Sequence, residues 1–151
     1  MKLLKEWALE YLKAKDAFVK QIKNIEENTK ECDVMLHYET HDRCVLVQDT
    51  IDADSVVKKA AAQPTYVVVP NTKENVELLL KNWDGFKEHK QLCFFFVNPN
   101  SKTEQKWMVY PSTHDSITEK NALRKGIESL FLTVEPYMTP EKRVSDTAAG
   151  N

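Results

Sequence analysis

The sequence predicts one α/β domain, with an α+β arrangement as the neighbouring possibility, built on a single mixed sheet of about five strands. Three observations lead there. Apolar residues recur at helical spacing near the N-terminus, and short β-rich runs then alternate with segments that carry helix-start and helix-stop residues. One run, "QLCFFFVN", is apolar almost throughout, the pattern of a strand covered on both faces. With 151 residues, 42% of them hydrophobic and only three glycines, the chain has enough material for a core without staples, and it is neither collagen-like nor wholly disordered.

The first element is expected to be a long amphipathic helix from Leu3 to about Thr29. Leu4, Trp7, Tyr11, Ala14, Phe18, Ile22 and Ile25 step by three and four, and lysines interleave with glutamates on the other side. The runs "DVMLHYE" and "RCVLVQDT", parted by the polar "THD", then read as an antiparallel hairpin from Asp33 to Thr50. Acids open "DADSVVKKAAAQP", alanines fill it and Pro64 stops it, which suggests a helix from about Ala53 to Ala62.

"TYVVVP" is a buried strand. In the helix that follows, Asn71 stands three residues before Glu74 as in a capping box, and Asp84-Gly85 closes it. After the strand "QLCFFFVN" and the loop "PNSKTE", "QKWMVYP" returns antiparallel. "STHDSITEKNALRKGIESLFLTV" reads as a last helix capped by Ser116, with Leu123, Ile127, Leu130, Phe131 and Val134 as its buried stripe. The order is therefore α-ββ-α-β-α-ββ-α, with residues 1–135 as one domain and 136–151, rich in small polar residues and prolines, as a flexible tail.

Twenty-one basic against 23 acidic side chains leave a formal charge of −2, so no overall field drives the chain onto nucleic acid or an anionic membrane. No apolar stretch approaches the roughly 20 residues that span a bilayer. Cys32, Cys44 and Cys93 are an odd number, and Cys93 lies inside an apolar strand, which together point to reduced thiols and a cytoplasmic location. Three glycines, at Gly85, Gly126 and Gly150, write neither a P-loop nor a dinucleotide fingerprint.

Candidate sites fall into three groups. "HYETHDRC" carries His37 and His41, which on a helix would share one face as a metal chelate; on the expected strand and turn they stand roughly 13 Å apart if the chain is extended. A transition-metal site, zinc above all, would then need His37, His41 and Cys44 across the hairpin, with His114 reaching the same edge of the sheet. Glu104 and Lys106 form an acid-x-lysine triplet at a strand start, and with Asp49 on the same edge they would suit a Mg²⁺-dependent nuclease or phosphodiesterase. Trp107 and Tyr110, on opposite faces of one strand, leave one aromatic to lie outside the core beside Lys106, and with His114 they make a candidate binding surface.

The reading that best accommodates these features is a small non-catalytic binding or interaction module. Its partner would be another protein or a second copy, engaged through the N-terminal helix and marked by an exposed apolar patch there. The nuclease and the metal-binding module are the alternatives, and Mg²⁺ or Zn²⁺ enters only under them.

Overall fold

The computed structural model describes residues 3–138. It holds one mixed sheet of six strands lying side by side in chain order. These are β1 (Ile22–Glu27), β2 (Val34–Tyr38), β3 (Asp42–Val47), β4 (Thr65–Pro70), β5 (Leu92–Val97) and β6 (Lys106–Val109). The helices are α1 (Leu4–Val19), α2 (Ala53–Ala62), α3 (Lys73–Lys81), the short α4 (Trp83–Phe86), α5 (Pro111–Ile117) and α6 (Leu123–Phe131), with a 3₁₀ turn at Lys120–Ala122. β3, β4 and β5 are parallel, and β1, β2 and β6 join by antiparallel pairing. The α/β class and the mixed sheet are as expected, with six strands in place of about five.

The extra strand comes out of the expected first helix, which ends at Val19 instead of running on to Thr29. Lys20 turns left-handed, with φ of 50°, and its N–H closes on the Asp16 carbonyl. The Asp16 carboxylate accepts from the backbone N–H groups of Gln21 (2.8 Å) and Ile22 (3.2 Å), which fixes the chain's exit. A bulge in β1 then explains why the sequence still looked helical. Ile22 pairs with Tyr38 and Ile25 with Leu36, so one extra residue between Ile22 and Asn24 puts two isoleucines three positions apart on the same face of a strand. Three-residue spacing there is the signature of a bulged strand, and in sequence it mimics the helical period.

The layers follow from the connections. Crossovers from β3 to β4 and from β4 to β5 advance in the same direction, and right-handed crossovers of that kind put their helices, α2 and α3, on one face. Val67 and Val69 of β4 with Leu92, Phe94 and Phe96 of β5 meet that layer, together with Val56, Leu79, Ile127 and Phe131 from the helices. Among the described residues the opposite face has α1 alone: Leu4, Trp7, Ala8 and Leu12 cover Tyr66, Val68, Cys93, Phe95 and Val97. The unbroken apolar run of β5 is thus a strand buried on both sides, as its composition implied.

Two N-cap assignments change, and the helix expected to close at Asp84-Gly85 ends instead at Lys81, with Gly85 inside α4. Thr72, and not Asn71, is the N-cap of α3 and accepts from the Asn75 N–H. Asn71 is instead fully buried and bonds to the chain beyond α6. The expected last helix is divided: Ser116 lies inside α5, where its hydroxyl donates to the Thr113 carbonyl, and Thr118 is extended before the chain restarts as α6. Ile117 at the break is 77% exposed.

Cys32 and Cys44 form a disulfide with Cα atoms 5.6 Å apart, tying the segment before β2 to β3, so the expectation of three reduced thiols is corrected to one, the buried Cys93. Beyond Val134 the chain stays attached: Asn98 donates to the carbonyls of Glu135 and Pro136, and the Tyr137 N–H donates to the Asn71 carbonyl. The expected tail from 136 therefore begins on the domain, and from residue 139 it lies outside the described residues. Among the described residues no helix is long and apolar enough to cross a membrane.

Candidate functional site at the hairpin end of the sheet

α1 runs down its face of the sheet from the loop before β6 towards the β2–β3 hairpin. At its start the Trp7 indole N–H donates to Gln105 (3.2 Å) and the ring stacks on Tyr11 at 5.1 Å, which meets Phe95 edge-on. After Leu12 the helix leaves the core, and no residue from Lys13 to Val19 is buried. The apolar stripe nevertheless continues through Ala14 to Phe18. Phe18 is 96% exposed and Val19 60%.

At this end the sheet presents an arginine among tyrosines. Arg43 pairs with Leu36, and Tyr66 with Val45, so strand alternation turns Tyr38, Arg43, Tyr66 and Cys93 to the α1 face; Tyr110 follows β6 beside them. The Arg43 guanidinium lies 4.2 Å from the Tyr66 ring centroid, a cation–π stack. Its Nε and Nη1 are buried without a hydrogen-bond partner. Asp16, at the end of α1, has its carboxylate turned to the Gln21 and Ile22 amides. Burial pushes the Tyr38 hydroxyl up from its ordinary pKa, aided by Tyr66 and opposed by Arg43. Tyr110 is raised by burial first and then by Cys93 and Tyr66. The Cys93 thiol, also through burial, is pushed up to about 12. At neutral pH these groups are uncharged, and the charge among them is that of Arg43.

Lysines surround the helix end. Lys13, Lys15, Lys20 and Lys23 are all exposed. Between α1 and β1 a cleft of about 460 Å³ is lined by Lys13, Lys20 and Lys23 with Asp16, over Ile22 and Ile25. At the hairpin tip the His41 ring stacks on Tyr38 at 4.7 Å, within 9° of parallel.

The residues expected to bind metal do not converge. His37 is clasped across three strands: its Nδ1 meets the Asp42 carboxylate at 2.8 Å and its Nε2 the Glu26 carboxylate. The two ring nitrogens point apart, so the acids lie on opposite sides of the imidazole and cannot share an ion with it. His41 is taken up by its stack on Tyr38 and by the Thr40 hydroxyl at 3.2 Å. Cys44 is excluded as a ligand, because its sulfur is bonded to Cys32. His114 packs edge-on against Trp83, with ring centroids 5.9 Å apart, and lies beside Gly126 of α6 in the opposite helical layer. Among the described residues no group of three or more His, Cys, Asp or Glu side chains is arranged to hold a metal ion.

Asp49 and Glu104 also stay apart. Both lie at the end of the sheet away from the hairpin, but Asp49 follows β3 and Glu104 precedes β6, with β4 and β5 between them. Three strand spacings are roughly 14 Å, too far for one Mg²⁺. Glu104 and Lys106 instead line an open cleft of about 510 Å³ with Glu10, Trp7, Tyr11 and Gln105, where Lys106 Nζ is 5.1 Å from the Tyr11 ring centroid.

Of the aromatic candidates, Trp107 is corrected to a core residue: it is 4% exposed and stacks on Phe96 at 4.1 Å. Tyr110 does join the tyrosine and arginine group, while His114 lies in the other layer. Arg43, Tyr38, Tyr66 and the exposure of Phe18 were missed. The alternation in "RCVLV" held a signal, since it puts Arg43 on the same face as the buried Val45. Comparison of the chain with protein-family models, curated proteins and solved structures gives no match.

Proposed function

We propose that the protein is a non-catalytic interaction module that docks another protein through the end of α1. The observation that carries this reading is the uncovered half of that helix. A helix gains most of its stability in water from packing its apolar face, yet here the stripe runs on from Tyr11 to a phenylalanine that touches almost nothing. A large aromatic side chain left in solvent beside a valine, rimmed by lysines, has the composition of an interface anchor. A second copy suits the site less well, since self-association would bring two lysine-rich helix ends into one interface. The bridged Cys32–Cys44 pair supports placing the module in an oxidising compartment, in place of the cytoplasmic location that the cysteine count suggested.

The reading is tested by placing a photo-crosslinking amino acid at position 18, with position 117 as an exposed control in the α5 break. The expected result is a discrete protein adduct from position 18 alone. The partner so identified should bind the purified chain, and Phe18→Asp should weaken that binding roughly tenfold or more while Ile117→Asp does not. A partner that binds Phe18→Asp as well as the parent chain, or adducts equal at both positions, would refute the docking site.

A further inference from the structure

The docking reading leaves the chemistry of the partner open, and the charges at the site narrow it. We infer that the segment docked at the end of α1 is an acidic peptide, with a carboxylate for Arg43 and the lysines of α1 and a large apolar side chain for Phe18 and Val19. This rests on the docking reading above and adds the partner's chemistry to it.

Arg43 is the centre of the inference. A guanidinium carries five N–H donors and no acceptor, and burying it without a counter-ion is costly. Arg43 is half-buried, its Nε and Nη1 are enclosed by the protein without an acceptor, its polar neighbour is the Tyr38 hydroxyl, and among the described residues no carboxylate pairs with it, so a docked carboxylate would act on its charge from the exposed side of the residue. The chain has acids close by, but they are committed elsewhere or face away. Asp16 holds the amides that follow α1, and Asp42 holds His37 on the other face of the sheet. Glu39 lies exposed in the turn. Against them stand Lys13, Lys15, Lys20 and Lys23, all on α1 and the start of β1.

The cation is also held still. Stacking on Tyr66 orients the guanidinium, with Tyr38 and Tyr110 in its neighbourhood, and such preorganisation lowers the cost of recognising a planar carboxylate. Because the chain as a whole carries a charge of −2, this corner is a local basic patch on an acidic molecule. That arrangement favours a local acidic segment as partner, since the lysines are gathered at one corner and are not spread over a face that could lie on an anionic membrane.

The test pans a displayed library of random dodecapeptides against the full chain and then titrates synthetic versions of those selected. Peptides enriched in Asp or Glu beside one large apolar residue are expected. Their binding should weaken roughly tenfold in Lys15→Glu and in Arg43→Met, be lost in Phe18→Ser, and fall as salt is raised. Lys15→Glu alters an exposed side chain, so it reads the charge effect even where Arg43→Met fails to fold. Selected peptides that need Phe18 but are neutral or basic overturn the acidic assignment and leave the docking reading standing. Peptides indifferent to Phe18→Ser overturn the docking reading itself. Phe18-dependent sedimentation with phosphatidylserine-containing vesicles, without peptide binding, transfers the site to a lipid surface and overturns both.

Discussion

The Trp107 indole N–H donates to the side-chain carbonyl of Asn71 across 2.7 Å, joining the edge strand β6 to the turn between β4 and α3. The same asparagine sends its amide to the carbonyls of Phe131 (3.2 Å) and Val134 (3.1 Å), where α6 ends. One buried side chain thus links three segments, the β4–α3 turn that carries it, β6 and the end of α6, around the larger core. Buried amides in this position stabilise because leaving their partners unpaired costs more than the bonds themselves contribute.

Asn71→Leu should destabilise the domain by about 2–4 kcal/mol, since it strands the indole N–H and the carbonyls of Phe131 and Val134 in the core. Trp107→Phe keeps the ring stack on Phe96 and frees the Asn71 acceptor, so its cost should be smaller, about 1–3 kcal/mol. Urea unfolding of the two variants gives both values. Equal losses would mean that the Asn71 amide bonds to Phe131 and Val134 add little beyond the bond to Trp107.

The Cys32–Cys44 bridge closes a loop of sequence separation 12, for which chain entropy gives a stabilisation of about 3 kcal/mol. A Cys32→Ser/Cys44→Ser double variant should therefore melt well below the parent chain. Thiol titration of the denatured, unreduced protein is expected to find Cys93 alone. Recovery of all three thiols without a reductant contradicts the bridge.

Cys93 should be inert while the protein is folded. Its thiol is buried between α1 and the sheet and pushed up to about 12, so almost no nucleophilic thiolate is present at neutral pH. Iodoacetamide should label it only on unfolding, and the labelling rate should follow the unfolding rate. Fast alkylation of the native protein would show that the α1 layer opens readily.

His37 should make the free edge of the sheet pH-dependent. Its pKa is raised, first by the hydrogen bond to Asp42 and then by Glu26. Folding thus favours the imidazolium. The stabilisation is fully present below the unfolded histidine value of about 6.5 and is lost as pH rises through the raised folded value. Hydrogen exchange in β1 should accordingly quicken over that interval, and His37→Gln should flatten the dependence. An NMR titration of His37 with a midpoint below the unfolded value would reverse the sign.

Much of the architecture was legible in the sequence because local rules decide it. The acids, alanines and proline around α2 gave its span from Ala53 to Ala62 as observed, and the continuous apolar character of "QLCFFFVN" marked β5 as covered on both sides. The hairpin of β2 and β3 was legible for the same reason, in β-branched runs flanking a polar turn. The first helix was overextended because a bulge gives a strand a three-residue apolar spacing that is indistinguishable from a helix by period alone.

What only the tertiary structure decided is which residues meet and which are left out. The sequence by itself determined the class, the sheet and most of its helices, since those depend on neighbours along the chain. The pairing of Cys32 with Cys44, the clasp on His37, the separation of Asp49 from Glu104 and the stacking of Arg43 on Tyr66 depend on strand order and register, which bring together residues from separate strands and loops. Phe18 shows the difference most plainly. Its spacing continues the buried stripe of α1, but a stripe is buried only as far as there is sheet beneath it, and the length of the sheet is fixed by other parts of the chain.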